Sequence, residues 1–515
     1  MIRRLLACAA LVSFSSPALA DWYEASSDHF VIYADDSEKD IREFATNLEH
    51  YHSAMELITG RKTETPSPSN RVTIFVVGGS GDMRKLSGSR NIGGFYVSRA
   101  GASRAFVQDI RNRTGKYADF STVILLHEYA HHFLISTSRY AMPRWLSEGA
   151  AEFFASVSFE RDGGLLIGRP AQHRATDFAY ASDVDLDAIL DPEVYDEKRR
   201  SGHDQFYARS WLLFHYLTFA KERNGQLSNY WLSVAQGEPS LTAAKAAFGD
   251  LDQLEEELDR YLRSRRMMTL RFGPERLSAG KITLRELPPG EAKMMDVRIV
   301  SQRGVSREQA LELLPEARKI AAKYPNDAGV LTALAEAELD AGYEDAAIAA
   351  ADRAIALDPS RKNAYVQKGY ALFRKAEESG DSAAFDAAME PFSALNRLEN
   401  DHPLPLIYYY RSFAGKGQEP NDTARHALER ASDLAPFDQG LAMNTALMLA
   451  EEGKIELARM MLHPLTSNPH GGKLAESALQ IYEELGTAPE GVKWRMNHIG
   501  DEWEEEEPSE EDAIR

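Results

Sequence analysis

The chain has 515 residues, of which 43% are apolar and 27% are charged. A chain of this length exceeds what one hydrophobic core usually serves, so we expect at least two domains of ordinary globular composition. The formal net charge is −20 at pH 7. This acidity disfavours binding to nucleic acid or to anionic membrane surfaces, and we expect no nucleic-acid partner.

Residues 1–20 have the layout of a cleaved secretory signal. A basic start (Arg3 and Arg4) precedes an apolar stretch that reaches about residue 14, and the segment ends in Ala-Leu-Ala at 18–20. The apolar stretch is too short for a bilayer core of about 30 Å. We therefore expect cleavage after Ala20, a periplasmic or secreted protein, and no integral membrane segment in the mature chain.

The only cysteine, Cys8, lies inside this signal segment. The stretch "LLAC" resembles a lipid-attachment box, but almost no apolar run precedes Cys8, and we favour the cleaved signal over a lipoprotein. The mature chain then has no thiol and a formal charge of −22, because Arg3 and Arg4 are removed. Disulfides are excluded, and any metal site must use His, Asp or Glu.

The next region, residues 21–272, predicts an α+β domain. A helix is expected from Ser37 to Ile58 and another over 120–135, a third follows Pro143, and helical patterns dominate from 203 to 270. Short β-type stretches precede most of these helices, at 29–33, 71–77, 93–99 and 103–109. Strands first and helices afterwards are typical of the α+β class. In the segment 273–304, polar and apolar residues alternate on both sides of "PPGEA", which predicts a small β-hairpin or linker.

Residues 305–487 are helical, rich in alanine, and periodic. Prolines recur with spacings of 34, 44, 33 and 33 residues, at Pro325, Pro359, Pro403, Pro436 and Pro469. The pattern resembles the 34-residue tetratricopeptide repeat, an all-α solenoid of helix pairs, with an insertion near "EESGDSAAFD". An irregular alanine-rich bundle would explain the small residues but not the period. Such solenoids usually bind protein partners. Residues 488–515 form an acidic tail that we expect to be solvated and disordered.

The stretch "HEYAH" carries the strongest chemical signal. His127 and His131 lie four residues apart, so a helix directs both imidazoles to one side, where they can bind one metal ion. Glu128 is adjacent and close enough to act as a general base on a water molecule. The alternative is a core helix whose histidines are satisfied by hydrogen bonds, although burying them without partners would be costly.

A third ligand is expected from "PRWLSEGAAEF". Glu148 follows His131 by 17 residues and lies on the next predicted helix, so a short loop can bring the two helices together. A catalytic zinc site usually has three protein ligands and one open position. The sequence therefore predicts one Zn²⁺ bound by His127, His131 and Glu148.

"HEYAH" followed by "WLSEGAAEF" resembles the gluzincin metallopeptidases, specifically the peptidase MA-like domains of bacterial envelope proteins, which are often joined to tetratricopeptide repeats. The resemblance implies that Glu148 is the third ligand and that Glu152, one turn later, orients His127. Glu152 as the ligand in place of Glu148 is the alternative. His132 lies about 100° around the helix from His131 and is expected to pack or to face solvent.

Amide cleavage also requires a donor to the developing oxyanion. The offset from Glu148 resembles that of the catalytic tyrosine of related aminopeptidases, which implies Tyr207, with His203 and Tyr216 as rivals. A tyrosine that only anchors a core helix is the remaining alternative. The stretch "GASRAFVQD" is expected to be the edge strand that pairs with an extended substrate.

These residues predict an exported zinc peptidase with Glu128 and Tyr207 as catalytic groups, acting on a protein or peptide substrate. No acidic residue lies between Gly93 and Gln108 to bind a substrate N-terminus, which favours an endopeptidase over an aminopeptidase. One alternative is an envelope scaffold whose repeats bind partners while the first domain only binds metal or peptide. Hydrolysis of a non-peptide bond at the same metal is another.

Overall fold

The computed structural model describes residues 22–89, 92–110, 117–138, 140, 142–198, 203–466 and 472–495. The signal expected at 1–20, the acidic run beyond 495 and Pro469 lie outside the described residues. An N-terminal half that mixes sheet and helix is followed by an all-helical half, as the sequence predicts at this level. No helix in the described part of the chain is both long and apolar enough to cross a membrane.

Two β-sheets form in the first half. The strands are β1 (Tyr23–Ser26), β2 (Phe30–Ala34), β3 (Val72–Val76), β4 (Gly94–Val97), β5 (Arg104–Val107), β6 (Ser158–Phe159), β7 (Leu165–Ile167), β8 (Leu270–Phe272) and β9 (Thr283–Glu286). The larger sheet has the order β4-β5-β3-β2-β1-β9, and the smaller has the order β6-β7-β8. In the larger sheet β2, β3 and β5 run parallel, whereas β1, β4 and β9 pair antiparallel with their neighbours.

The first half also contains a series of helices. They are α1 (Glu38–Thr59), α2 (Ser80–Ser87), α3 (Phe120–Thr137), α4 (Arg144–Ala155), α5 (Ala175–Tyr180), α6 (Leu186–Leu190), α7 (Pro192–Lys198), α8 (Phe206–Phe219), α9 (Gln226–Ala235), α10 (Ser240–Phe248) and α11 (Leu251–Leu262). Helix α1 begins at an N-cap, Ser37, whose side chain accepts the Asp40 amide hydrogen.

Alternation along the central strands separates two cores. Ile32 and Ile74 point to the face covered by α1 and α3, where the main core lies. Tyr33, Phe75 and Phe106 point to the opposite face, which a later helix covers. The sheet is therefore buried on both faces, as the apolar runs in β2 and β3 require.

The segment 273–304 does not form the predicted hairpin. Its strand β9 pairs with β1, Leu284 opposite Ala25, and its second part is a helix, α12 (Pro289–Arg303). Met295 and Ile299 of α12 complete the second face of the sheet. The stretch "MMDVRIV" looks strand-like because α12 is buried on more than one side, which obscures the helical period.

The second half is a succession of helix pairs, as the proline period predicts. The helices are α13 (Arg307–Lys323), α14 (Ala328–Asp340), α15 (Glu344–Leu357), α16 (Lys362–Ser379), α17 (Ala384–Leu398), α18 (Pro403–Gly415), α19 (Asp422–Leu434), α20 (Gln439–Glu451), α21 (Ile455–Thr466) and α22 (Gly472–Leu485). The expected insertion lengthens one pair, since α16 has 18 residues and α14 has 13.

The helix pairs also pack against the first half. The β4–β5 turn meets the pairs at Gly101 (φ +80°), where a Cβ would lie 3.0 Å from Leu404. The Ala100 amide donates to Asp438 at 2.8 Å, and the Ser69 amide donates to the buried carboxylate of Glu399 at 2.9 Å. The repeats are therefore attached along their length and are not a module on a flexible linker.

The predicted tail boundary at 488 is too early. The Gly491 amide donates to the Gly453 carbonyl at 2.8 Å, and the Trp494 amide donates to the Ala450 carbonyl at 3.0 Å. The Trp494 side chain packs on the core formed by α19 to α22. Residues 488–495 therefore belong to the packed repeat half, because they precede the run of glutamates and carry an aromatic anchor.

Candidate metal centre

The site is formed by two consecutive helices, α3 and α4, that pack against each other. Helix α3 begins where Asp119 accepts the Thr122 amide hydrogen, and α4 begins directly after Pro143, whose fixed φ suits a helix start. Gly149 lets α4 pack closely against α8, because a Cβ there would lie 2.4 Å from the Ser210 carbonyl oxygen. The glycine of "WLSEG" therefore brings α8 close to the site.

The three predicted ligands converge. The Nε2 atoms of His127 and His131 are 3.1 Å apart, and Glu148 Oε2 lies 3.3 Å from the first and 3.5 Å from the second. Among the described residues these are the group of His, Cys, Asp and Glu side chains that could hold an ion, with donor atoms within 4.8 Å of one another. All three side chains are nearly or fully buried.

This donor set fits zinc. Two imidazole nitrogens and one carboxylate oxygen are the ligands of many catalytic zinc sites, and ligands at tetrahedral positions around zinc are about 3.3 Å apart. The observed separations of 3.1 to 3.5 Å match that spacing. His127, His131 and Glu148 could therefore hold one divalent ion without rearrangement of the helices.

Glu152 lies behind His127, on the side away from Glu148. Its Oε1 atom is 3.2 Å from His127 Nδ1, so the Nε2 atom of the same ring remains directed at the other two ligands. His173 Nε2 contacts Oε2 at 2.5 Å, and Arg174 donates to Oε1 from Nε at 3.0 Å. Burial alone would raise the pKa of Glu152, but Arg174, His127 and His173 hold it well below its usual range.

This arrangement distinguishes the two glutamates. Both oxygens of Glu152 are engaged by His127, His173 and Arg174, whereas Glu148 faces both Nε2 atoms. Glu148 therefore lies where the sequence predicts the third ligand, and Glu152 lies where the resemblance places the group that orients His127. Sequence analysis did not identify His173 and Arg174, because they lie in a short turn with no periodic signal.

The protein environment favours positive charge at His127. Burial lowers the pKa of the imidazole, but hydrogen bonds and charge from Glu148 and Glu152 outweigh this effect and raise it to about 10. His131 has a different neighbour, since its Nδ1 atom lies 3.1 Å from the Ser147 hydroxyl. Ser147 directly precedes Glu148, so one turn of α4 contacts both histidines.

Tyr207 is the one of the three predicted oxyanion donors that lies beside this centre. Its ring centroid is 6.5 Å from that of His127, and the Arg174 guanidinium lies 4.8 Å from its ring. Burial and the nearby Glu148 carboxylate raise the pKa of Tyr207, so the phenol keeps its proton. His203 instead contacts Asp177 at 3.0 Å, and the Tyr216 hydroxyl donates to Glu257 at 3.0 Å.

The centre opens into a cleft with a volume of about 1030 Å³. His127, Glu128 and His131 contribute to its floor, and β4 forms one side. The prediction that 103–109 is the edge strand is wrong, because β5 lies between β4 and β3 and the edge is β4. Both stretches are apolar and strand-like, and nothing within either one indicates which of them is outermost.

His132 packs inside the protein. Its Nδ1 atom lies 2.7 Å from the Tyr96 hydroxyl, its ring stacks on Tyr129, and Phe437 of the repeat half lies 4.2 Å away between centroids. Burial lowers its pKa to about 3. Of the two environments expected for His132, the packed one is correct, although its side chain is half-buried and contributes to the lining of the cleft.

A family model described as "Protein of unknown function (DUF1570)" matches residues 119–240. That segment contains α3, α4 and α8, so all the site residues proposed from sequence lie inside it. No curated protein matches the chain.

The solved structures that resemble the chain each cover less than half of it. They include "Crystal structure of MamA", at 18% identity over 39% of this chain and 99% of that chain with a TM-score of 0.26. A thermophilic TPR protein in Thermus thermophilus has 16% identity over 37% of this chain and 99% of that chain, with a TM-score of 0.32. MamA 41-end from Desulfovibrio magneticus RS-1 has 18% identity over 38% and 95%, with a TM-score of 0.26.

Proposed function

We propose that this protein is an exported, zinc-dependent endopeptidase. The observation that carries the proposal is the convergence of His127, His131 and Glu148, with donor atoms within 4.8 Å of one another, where the two histidines line an open cleft. The resemblance to peptidase MA-like gluzincins supports the same ligand set. Export rests on the signal-like residues 1–20.

Each side chain has a defined task. His127, His131 and Glu148 would hold the ion, and Glu152 keeps the His127 ring in its orientation. A bound zinc ion supplies Lewis-acid chemistry, polarising a carbonyl oxygen and lowering the pKa of a water molecule towards neutrality. Glu128 accepts the proton from the attacking water at its carboxylate and delivers it to the leaving amine. The Tyr207 hydroxyl, which stays protonated, donates to the developing oxyanion.

The shape of the cleft supports a peptide substrate. A cleft of about 1030 Å³ is at the upper limit of pockets for small ligands, which span about 300–1,000 Å³. Strand β4 lies at the edge of the sheet beside it, and a sheet edge can pair with an extended peptide. Cleavage inside a chain agrees with the lack of acidic residues between Gly93 and Gln108.

The helix pairs favour a second, compatible role in protein binding. Large apolar side chains such as Leu311, Leu357 and Leu398 are exposed on helices α13, α15 and α17. Helical solenoids commonly use such surfaces for protein partners. In a pure scaffold the metal centre would bind ion or peptide without turnover, and the loss of Glu128 would change nothing.

The deciding experiment uses the secreted, zinc-loaded protein and a peptide library. We expect cleavage that 1,10-phenanthroline abolishes and that Glu128→Gln reduces by about 10²- to 10⁴-fold, while the zinc content stays the same. Glu193→Gln, an exposed carboxylate on α7, is the matched control. Cleavage that is unaffected by Glu128→Gln, or no cleavage by a zinc-loaded protein, contradicts the proposal.

A further inference from the structure

The cleft above the metal centre has walls from both halves of the chain. One wall comes from α3 and β4, and the other comes from the repeat half, from α19 to α21. Helix pairs that only recruited a distant partner would not need to line this cleft. The repeats therefore take part in the site itself.

The wall on the repeat side is an apolar stripe on one helix. The cleft-lining residues of α21 are Leu457, Met460, Met461, Pro464 and Leu465. Their spacing of three and four residues places them along one face of the helix. Leu457 and Met460 are each 48% exposed, although the water-facing stripe of a surface helix is normally polar. The core of α19 to α22 uses Ala458, Leu462 and Leu465, with Met461 packed against it, and does not include Leu457 or Met460.

The opposite wall also offers apolar surface, next to a strand edge. Phe120 and Ile135, at the two ends of α3, line the cleft and are 59% and 37% exposed. Strand β4 pairs on one side with β5 and presents its other side to the cleft. Exposed apolar side chains that line a cleft are typical of binding sites.

The charges in the cleft indicate which peptides would be excluded. Carboxylates line it at Glu128, Glu152, Glu429 and Asp433, and of these Glu152 is paired with Arg174 and Glu429 lies 3.4 Å from Lys454. Arg174 also lines it, but its guanidinium is already bound to Glu152. An acidic segment would therefore meet the carboxylate of Glu128 and gain no counter-ion from Arg174. An apolar segment with neutral or basic flanks fits both walls.

We infer that the cleft binds an extended peptide along β4. In this inference the exposed part of the α21 stripe, Leu457 and Met460, contacts a large apolar side chain of that peptide. Leucine, methionine and phenylalanine have the right chemistry for this subsite, and the flexible methionine allows some variation in shape. Sequence selectivity would thus come from the repeat half and bond cleavage from the first half. The cleavage part of this inference rests on the proposed function, whereas the binding part does not.

The test measures binding without turnover. Full-length Glu128→Gln protein is titrated against fluorescein-labelled peptides that are identical except for Leu, Ser or Asp at one central position. We expect the Leu peptide to bind at least about tenfold more tightly than the Ser peptide, with the Asp peptide weakest. Leu457→Asp combined with Met460→Asp should abolish the preference for Leu.

A matched control distinguishes loss of the apolar stripe from a general effect of an aspartate on the folding of the repeat half. Leu479→Asp changes a leucine that is 45% exposed on α22 and does not line the cleft, and it should leave the preference intact. Circular dichroism and thermal unfolding of each variant confirm that the repeat half is folded. Equal binding of the three peptides, or a preference that survives in the folded Leu457→Asp Met460→Asp variant, overturns the inference.

The outcome also separates this inference from the proposed function. Selective binding of the Leu peptide by a protein that cleaves nothing contradicts the peptidase proposal and supports the subsite. Zinc-dependent cleavage of the wild-type protein with no preference for an apolar residue, and no change in the stripe variant, supports the peptidase and contradicts the subsite.

Discussion

Helix α3 carries histidines on two faces, and the two faces differ in electrostatics. On the face towards the cleft, Glu148 and Glu152 raise the pKa of His127 to about 10 against the effect of burial. On the face towards the sheet, burial together with His29 lowers the pKa of His132 to about 3. His52 of α1, which contacts Tyr129 of α3, has its pKa lowered to about 2 by burial, His29 and His132.

The difference shows that burial alone does not define a metal centre. Both faces bury imidazoles, but only the cleft face surrounds one with two carboxylates and aligns it with a second Nε2 atom. On the sheet face His52 and His132 each share a hydrogen bond with a tyrosine hydroxyl and pack against aromatic rings, and His52 also contacts the Thr63 hydroxyl at 3.0 Å. We expect the first face to bind metal and the second to stabilise the fold.

The largest expected effect is on zinc content. Replacing His127 and His131 together with alanine should reduce zinc from about one ion per chain to almost none, because two of three ligands are lost. Replacing His132 with alanine should leave the zinc content unchanged, since its Nδ1 atom faces Tyr96. Mass spectrometry of the purified proteins measures both, and loss of zinc from the folded His132 variant would break the comparison.

A smaller but still large effect is expected at Tyr207. Tyr207→Phe should lower kcat for peptide cleavage by about 10²-fold or more with unchanged zinc content, because one donor to the oxyanion is removed. Tyr216→Phe on the same helix is the control, since its hydroxyl bonds to Glu222 and Glu257 away from the centre. Equal kcat values for the two variants would remove Tyr207 from the proposed mechanism.

Substitution of one buried glutamate on each side of α3 should affect zinc affinity differently. Glu152→Gln should weaken zinc binding by about 10- to 100-fold, because in the proposed site Glu152 contacts His127 and is not a ligand. Glu49→Gln removes the corresponding carboxylate on the sheet side, which contacts His29 at 2.7 Å, and should not change zinc affinity. Competition with a chromogenic chelator gives both dissociation constants. A complete loss of zinc in Glu152→Gln would instead identify Glu152 as a ligand.

The smallest effect concerns stability and pH on the sheet face. His52 is uncharged in the folded state, facing His29, Glu56, Tyr129 and His132, with a pKa of about 2. The unfolded chain binds a proton there below about pH 6.5, so acidification favours unfolding. The resulting loss of unfolding free energy should grow from about 0.7 kcal/mol per pH unit at pH 6.5, where the unfolded residue is half protonated, towards about 1.4 kcal/mol per pH unit near pH 5. His52→Gln should flatten that slope in urea titrations, and an unchanged slope would contradict the assignment.

Much of the site could be predicted because its parts are local. A four-residue spacing on a helix directs His127 and His131 to one side, and the next helix returns Glu148 after a short loop. Glu152 lies one turn later on the same helix, and its predicted role came from the resemblance to a family. Tyr207 required the resemblance to a family, since 59 residues separate it from Glu148.

The features that sequence reasoning missed depend on distant parts of the chain. Strand β9 pairs with β1 across more than 250 residues, and no local pattern in either strand indicates the partner. The order of β4 and β5 at the sheet edge has the same cause. His173 and Arg174 reach Glu152 from an irregular turn, and the α21 wall reaches the cleft only because the repeats pack against Gly101 and its neighbours.

Strand β9 has a practical and evolutionary consequence. The sequence alone would place a domain boundary at residue 272. A protein truncated there would lose β9 and leave β1 as an exposed edge strand that is prone to aggregation. The two halves therefore cannot be exchanged independently in evolution. A recombination event that replaced the repeats with another array of helices would also have to preserve residues 283–286 and the helix that follows them.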